Sequence, residues 1–322
     1  MKKLLAILLA LALCIPFCAC GEKDDDEEDS PKKENRILTV GSQSSVEDYA
    51  DFTLRKVYST KKLTASVDSF MYYENENADD TYVVMVFDWT NTGEDDINCS
   101  DVVSISAIGA NDKKHEKTMI AVETDNYSSL NTYGDIAPLD TVRLHCAVTV
   151  PETETELTLQ LKVDGKIFTY HYVMGETASI AKTLNAGDAI EKADYATFTF
   201  RGISYGDKLS PSNGENSYSY YSVDDPSNTY LIVEYDITNQ AEDQKSADSF
   251  LGVKASYLNK YNYTGFLVLE NSEGTGFDGY YESIVPLSSR HCYYLIEVPK
   301  SVTENEVTVT LFFAGDEYIV KG

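Results

Sequence analysis

The sequence predicts an all-β protein: two tandem antiparallel β-sandwiches after an export signal and a disordered acidic tether. Three observations carry that prediction. The chain repeats itself at domain length, its apolar residues alternate with a period of two, and no stretch of the mature chain keeps helical periodicity over three turns.

The repeat is explicit. DYADFTLRKVYSTKKL (Asp48 to Leu63) returns as DYATFTFRGISYGDKL (Asp194 to Leu209), with 8 of 16 positions identical. TYVVMVFDWTN (Thr81 to Asn91) returns as TYLIVEYDITN (Thr229 to Asn239), and IAPL…VP (Ile136 to Pro151) as IVPL…VP (Ile284 to Pro299). The offsets are 146, 148 and 148, so order is kept and only loop lengths drift. Such a period is too long for a solenoid unit and has the size of a whole domain.

The chain divides in order. Residues 1–19 read as an export signal: Lys2 and Lys3 at the start, an apolar run from Leu4 to Phe17, and small Ala19 before Cys20. The run is shorter than the roughly 20 apolar residues a spanning helix needs. Phe17-Cys18-Ala19-Cys20 resembles a bacterial lipobox, with Phe where Leu is usual, which marks Cys20 as the lipidated residue. Acylation with two or more chains gives stable anchoring. Residues 20–36 then form the lipidated cysteine and a tether, whose six-acid block is expected to repel itself and stay solvated and disordered. Residues 37–178 form the first sandwich and 179–322 the second.

Within each sandwich the core faces are legible. Val83, Met85, Phe87 and Trp89 share one face, as do Leu231, Val233, Tyr235 and Ile237. Val142, Leu144, Cys146, Val148 and Val150 alternate with Arg143, His145, Ala147 and Thr149. Leu157 to Val163 and Val307 to Phe313 alternate likewise. This pattern predicts half-buried antiparallel strands. Asp164-Gly165 and Gly315-Asp316 sit at hairpin positions, and Asn91-Thr92-Gly93 marks a turn.

The order of these landmarks resembles the Ig-like, telokin-type domain of Gram-positive surface lipoproteins of unknown function. It runs Leu38…Gly41, Tyr49 to Leu54, YVVMVFDWTNTG, IAPLDTV…VTVP and a final strand pair, and restarts at Leu184…Gly187 and Tyr195. The resemblance implies the fold and carries no catalytic residue. The second copy departs at the turn, with Asn239-Gln240-Ala241 in place of Asn91-Thr92-Gly93.

Composition narrows the function. With Lys2 and Lys3 removed, 24 basic side chains face 53 acidic ones, a net charge of −29. Nucleic acid and anionic membrane surfaces demand a basic footprint, so neither is an expected partner. After acylation of Cys20 the mature chain keeps Cys99, Cys146 and Cys292, an odd number that excludes a disulfide framework. One bridge between Cys99 and Cys146 stays open. His145-Cys146 and His291-Cys292 invite a metal reading, but strand neighbours point to opposite faces and cannot grip one ion. Each is expected to be a core cysteine beside a solvent-facing histidine. Glu94-Asp95-Asp96 and Glu242-Asp243 recur after the turn, where calcium or simple solvation would each suit them.

No nucleophile elbow, phosphate loop, dinucleotide glycine pattern or HExxH motif is present. The sequence therefore offers no catalytic residue, metal ligand set or cofactor. The unusual residue is tyrosine, 24 in all. Tyr218, Tyr220 and Tyr221 fall in SNGENSYSYYSVDDPSN, Tyr280 and Tyr281 in another loop, and Tyr72 and Tyr73 in the region of the first half that matches the former. Tyrosine beside Ser, Asn and Gly is the composition of binding loops. The expected function is a non-enzymatic module, lipid-anchored to the extracellular face of the bacterial cytoplasmic membrane, that presents these loops to a protein or glycan. A lipid-anchored hydrolase, a transport receptor and a passive spacer are the competing readings.

Overall fold

The structure, a computed structural model, describes residues 36–322 apart from 68–70, 125–126, 215–218, 259–260, 280, 303–306 and 322. The signal, Cys20 and all but the last residue of the tether lie outside the described residues. The described residues contain no α-helix, only strands and three short 3-10 turns. None of them forms a helix long and apolar enough to cross a membrane.

Each half is a sandwich of the same strand order. In the first, one sheet runs Arg36–Ile37, Lys166–Val173, Glu156–Val163, Ser104–Ile108, Lys114–His115. The other runs Leu130–Asn131, Thr118–Glu123, Thr141–Pro151, Asp80–Asn91, Ala50–Thr60, Ala178–Ser179. The second half repeats the first sheet as Lys182–Thr183, Asp316–Lys321, Val307–Phe313, Leu251–Tyr257, Tyr261–Tyr263. Its other sheet runs Ala189–Lys192, Ala196–Gly206, Asn228–Asn239, Ser289–Pro299, Gly265–Glu270, Phe277–Asp278. The pairing is antiparallel with two exceptions among the described residues. Arg36–Ile37 and Lys182–Thr183 each add in parallel to the last strand of their half. The chain enters each sandwich on the edge of the sheet that its final strand will complete.

The cores follow the alternation. Val83, Met85, Phe87 and Trp89 meet Leu144, Cys146, Val148 and Leu157 to Val163 in one cluster, and Leu231 to Ile237 meet Val307 to Phe313 in its counterpart. Trp89 stacks on Phe52 at 4.8 Å between centroids. Burial of such side chains contributes roughly 2–3 kcal/mol each. Cys99, Cys146 and Cys292 are buried and free, so the bridge left open by the sequence does not form. Burial pushes the Cys292 thiol up to about 12 and that of Cys146 higher still, which keeps both protonated and poor nucleophiles.

The Asn-centred turn is the same in both halves despite the change of sequence. Asn91 Nδ2 donates to the carbonyls of Asp95 and Ile136, and its Oδ1 accepts from the Gly93 amide at 2.9 Å. Asn239 Nδ2 donates to Asp243 and Ile284, and its Oδ1 accepts from Ala241 at 2.9 Å. The asparagine side chain closes the turn, so the glycine can be replaced.

The expectation of half-buried strands is corrected at the sheet centre. Tyr82, Val84 and Val86, on the opposite face from the core, are also buried, with Leu63, Ala65, Ala121 and Ala147. Tyr230, Ile232, Val268, Tyr293 and Leu295 do the same in the second half, with Leu209. The cover is a short hairpin arm, Lys62–Leu63 paired with Tyr73–Glu74, and Lys208–Leu209 paired with Tyr221–Ser222. This cover also overturns the expectation for one histidine. His145 is 2% exposed, with Nε2 3.1 Å from Glu123 Oε1. His291 remains partly exposed. Register explains the difference. Cys146 lies opposite Met85, whereas Cys292 lies opposite Tyr235, the counterpart of Phe87. The two His-Cys pairs are thus not equivalent, and His291 corresponds to Arg143.

Candidate functional site

Asn35 to Gly322 form one compact unit, and the seam between its halves is built from a few polar residues. Each long edge-side strand carries a β-bulge, between Leu54 and Lys56 and between Phe200 and Gly202. The extra residue is an arginine both times, Arg55 and Arg201. A bulge re-aims its side chain, and each arginine reaches an aspartate on the neighbouring strand. Arg55 Nη1 donates to Asp88 Oδ2 at 2.6 Å, and Arg143, directly opposite Asp88, donates from Nε to Oδ1 at 2.9 Å. Asp88 thereby orients two arginines. Each also donates once to the second half. Arg55 Nη2 reaches Asp316 at 2.9 Å, and Arg143 Nη2 reaches the Gly315 carbonyl at 2.8 Å. Lys56 pairs with Glu317 at 3.0 Å, and Lys254 Nζ donates to the Ala65 carbonyl at 2.9 Å. Burial tends to lower the Arg55 pKa, but Asp88 and Asp316 outweigh it and raise it.

Two glycines of the second half receive side chains of the first. A Cβ on Gly252 would lie 2.9 Å from Val67 Cγ1, and one on Gly315, at φ +81°, 2.5 Å from the Tyr127 hydroxyl. The linker also joins the seam. Ala178–Ser179 pairs with Val57 and Lys56, and the Ile180 amide donates to the Arg55 carbonyl at 2.9 Å.

Beside these contacts the seam opens into a cleft of about 580 Å³ lined by residues of both halves. Val67, Tyr127 and Arg143 line it from the first half, and Tyr195, Lys245 and Phe312 from the second. Arg143 lies 5.2 Å from the Tyr127 ring centroid, and Lys245 Nζ 5.0 Å from that of Tyr195. The Tyr195 hydroxyl donates to the Ser249 carbonyl at 3.0 Å, as Tyr49 does to Val102 at 2.8 Å in the first half. Burial, with Tyr127 nearby, pushes the Tyr195 phenol up to about 12, so it stays a neutral donor.

The tyrosines singled out from sequence are dispersed. Tyr218 and Tyr280, like Cys20, lie outside the described residues. Tyr221 is partly buried on the outer face, its ring 5.6 Å from Phe266 and 5.3 Å from Phe277, and so serves the arm. Tyr220 is 52% exposed beneath Lys208 Nζ, 4.0 Å from its centroid. Tyr281 is 71% exposed, as is its counterpart Tyr133 at 84%. Tyr72, also exposed, lies 4.0 Å beneath Lys62 Nζ. The described residues hold no group of three His, Cys, Asp or Glu side chains placed to share a metal ion. Sequence reasoning passed over the cleft and the seam arginines. A usable mark was there, since Arg55/Arg201 and Asp88/Asp236 are charged residues kept in both copies of apolar strands.

No family model matches the chain, and no curated protein does. Among solved structures it is similar to an uncharacterized β-sandwich protein from Clostridium difficile 630. The match has 25% sequence identity and a TM-score of 0.41, and covers 44% of this chain and 93% of that one.

Proposed function

We propose that the chain is a non-enzymatic binding module whose two sandwiches present tyrosine-bearing arms to an extracellular protein or glycan. The observation that carries this reading is the pair of exposed lysine–tyrosine contacts, Lys62 on Tyr72 and Lys208 on Tyr220, at the same 4.0 Å in both halves. The arm residues between lysine and tyrosine differ in number and kind, yet the contact returns. An exposed cation–π pair contributes only about 0.5–1 kcal/mol, too little to be the reason for the arm. A rigid aromatic face with a cation fixed on it suits a partner that stacks and accepts hydrogen bonds.

The charged start, short apolar run and Ala19-Cys20 support lipid anchoring of Cys20 at the extracellular face of a bacterial cytoplasmic membrane, as in Gram-positive surface lipoproteins. The acidic residues 21–36 would then act as tether. No cofactor is invoked.

The test uses the full chain carrying Tyr72→Ser and Tyr220→Ser, assayed for binding to isolated envelope glycans and envelope proteins. Exposed substitutions shift stability by about 0.5 kcal/mol or less, so unfolding should be unchanged. Binding should weaken by about tenfold or more, since anchoring tyrosines are each worth about 2 kcal/mol. Unchanged binding by the double variant refutes the arms as the contact surface.

A further inference from the structure

The cleft at the seam is separate from the arms and has its own chemistry. Its volume, about 580 Å³, falls within the roughly 300–1,000 Å³ of small-ligand sites. Its walls are apolar and aromatic, with Val67 and Tyr127 facing Tyr195, Leu251 and Phe312 from the other half. Of its two cations, Arg143 is committed to Asp88 and to the Gly315 carbonyl. Lys245 is different. Its ammonium rests near the Tyr195 ring, and among the described residues no carboxylate lies within ion-pair distance of it. Its ammonium is therefore open to an acidic ligand entering the cleft. The one acid lining the cleft, Asp248, accepts a hydrogen bond from the Ser246 hydroxyl at 2.5 Å. Ser66, Ser128 and Ser249 complete the polar lining.

We infer that this cleft binds a small ring-bearing carboxylate, with the ring face against Tyr195, Tyr127 and Phe312 and the acid on Lys245. Both halves must be present to form the site, since neither wall alone encloses it. The shared chemistry, a flat CH-rich or aromatic face joined to one carboxylate, is found in acidic sugars and in aromatic acids. A neutral ring would gain the stacking and lose the charge-assisted bond, which is about twice as strong as a neutral one.

Calorimetry of the full chain with three probes tests this: a hexuronic acid disaccharide, its neutral hexose counterpart and N-acetyl-phenylalanine. One acidic probe should bind at least about tenfold more tightly than the neutral sugar, and which acid binds identifies the source. Lys245→Gln should remove that preference, and Lys245→Arg should keep it. Ser249→Trp, which places an indole at the cleft, should abolish binding while circular dichroism and unfolding stay those of the parent. The inference is overturned if neither acid binds better than the neutral sugar. It is equally overturned if Lys245→Gln, folded by the same criteria, binds the acid as the parent does.

Discussion

Arg55–Asp88–Arg143 and Arg201–Asp236–His291 are one device in two settings. In the first half the aspartate holds two arginines whose outer donors grip the Gly315–Asp316 hairpin, and Arg143 is 7% exposed at its side chain. In the second, Arg201 Nε donates to Asp236 at 2.7 Å and His291 Nδ1 lies 2.6 Å from the same carboxylate. There the Arg201 side chain is 51% exposed, and His291 Nε2 lies 3.3 Å from Glu234. The bulge, the aspartate and the cross-strand partner are common to both. What differs is whether a hairpin covers them. The lesson is that the repeat supplies a ready polar platform on each sandwich, and sequence at a distance decides whether it becomes a seam.

Removing the aspartate should separate the two settings most clearly. Asp88→Ala should leave two arginines at a largely desolvated seam without their carboxylate and cost about 3 kcal/mol. Asp236→Ala, where the aspartate is 20% exposed but its arginine partner is 51% exposed, should cost less, about 1–2 kcal/mol. Urea unfolding of the two variants measures both, and equal losses would mean that the seam is not the stabilising context.

A second difference concerns the buried glutamates. Each accepts a hydrogen bond from a serine amide, Glu123 from Ser66 and Glu270 from Ser212, but Glu123 lies beside His145 whereas Glu270 takes the Ser212 hydroxyl as well, at 3.0 Å, and Tyr293 stands in the place of the histidine. Burial pushes the Glu123 carboxyl up, but His145, Ser66 and Arg143 together hold it below the ordinary glutamate range. A depressed folded pKa gives stability that is present above the unfolded value, about 4.3, and lost as pH falls through the folded one. Stability should therefore decline below about pH 4, and Glu123→Gln should flatten that acid limb. Parallel stability–pH curves for parent and variant would falsify this role for Glu123.

The smallest effect should be a gain. Leu139 and Leu287 occupy equivalent turns at φ 66° and 62° and are exposed. Left-handed backbone costs a bulky residue about 1 kcal/mol or more, so glycine at either position should raise stability by up to about 1 kcal/mol despite its greater freedom in the unfolded chain. Equal gains in both halves would sharpen the picture of a common scaffold. A loss at one would show that its leucine packs.

Much of this fold was legible because core-forming residues announce their face locally. Val83 to Trp89 and Leu157 to Val163 alternate within a single strand, and Asp164-Gly165 and Gly315 mark turns between neighbours. His145 was misread because its face of the sheet is covered by Leu63 and Ala65, far away in sequence. Alternation specifies which side a residue faces, not what later covers that side. The seam was hidden for the same reason. Val67 and Gly252, or Tyr127 and Gly315, are unremarkable until the fold brings them together. The cleft has no motif because its walls come from five or more segments of both halves.

The stitched linker has a mechanical consequence. Ala178–Ser179 is hydrogen-bonded along Lys56 and Val57, next to the bulge that carries Arg55. A pull on the second half is therefore delivered to backbone bonds inside the first half's sheet and not to a slack loop. The joint has no swivel. It acts as a fuse, short and stiff until the strand pair and the arginine grip let go together, and then it yields in one step.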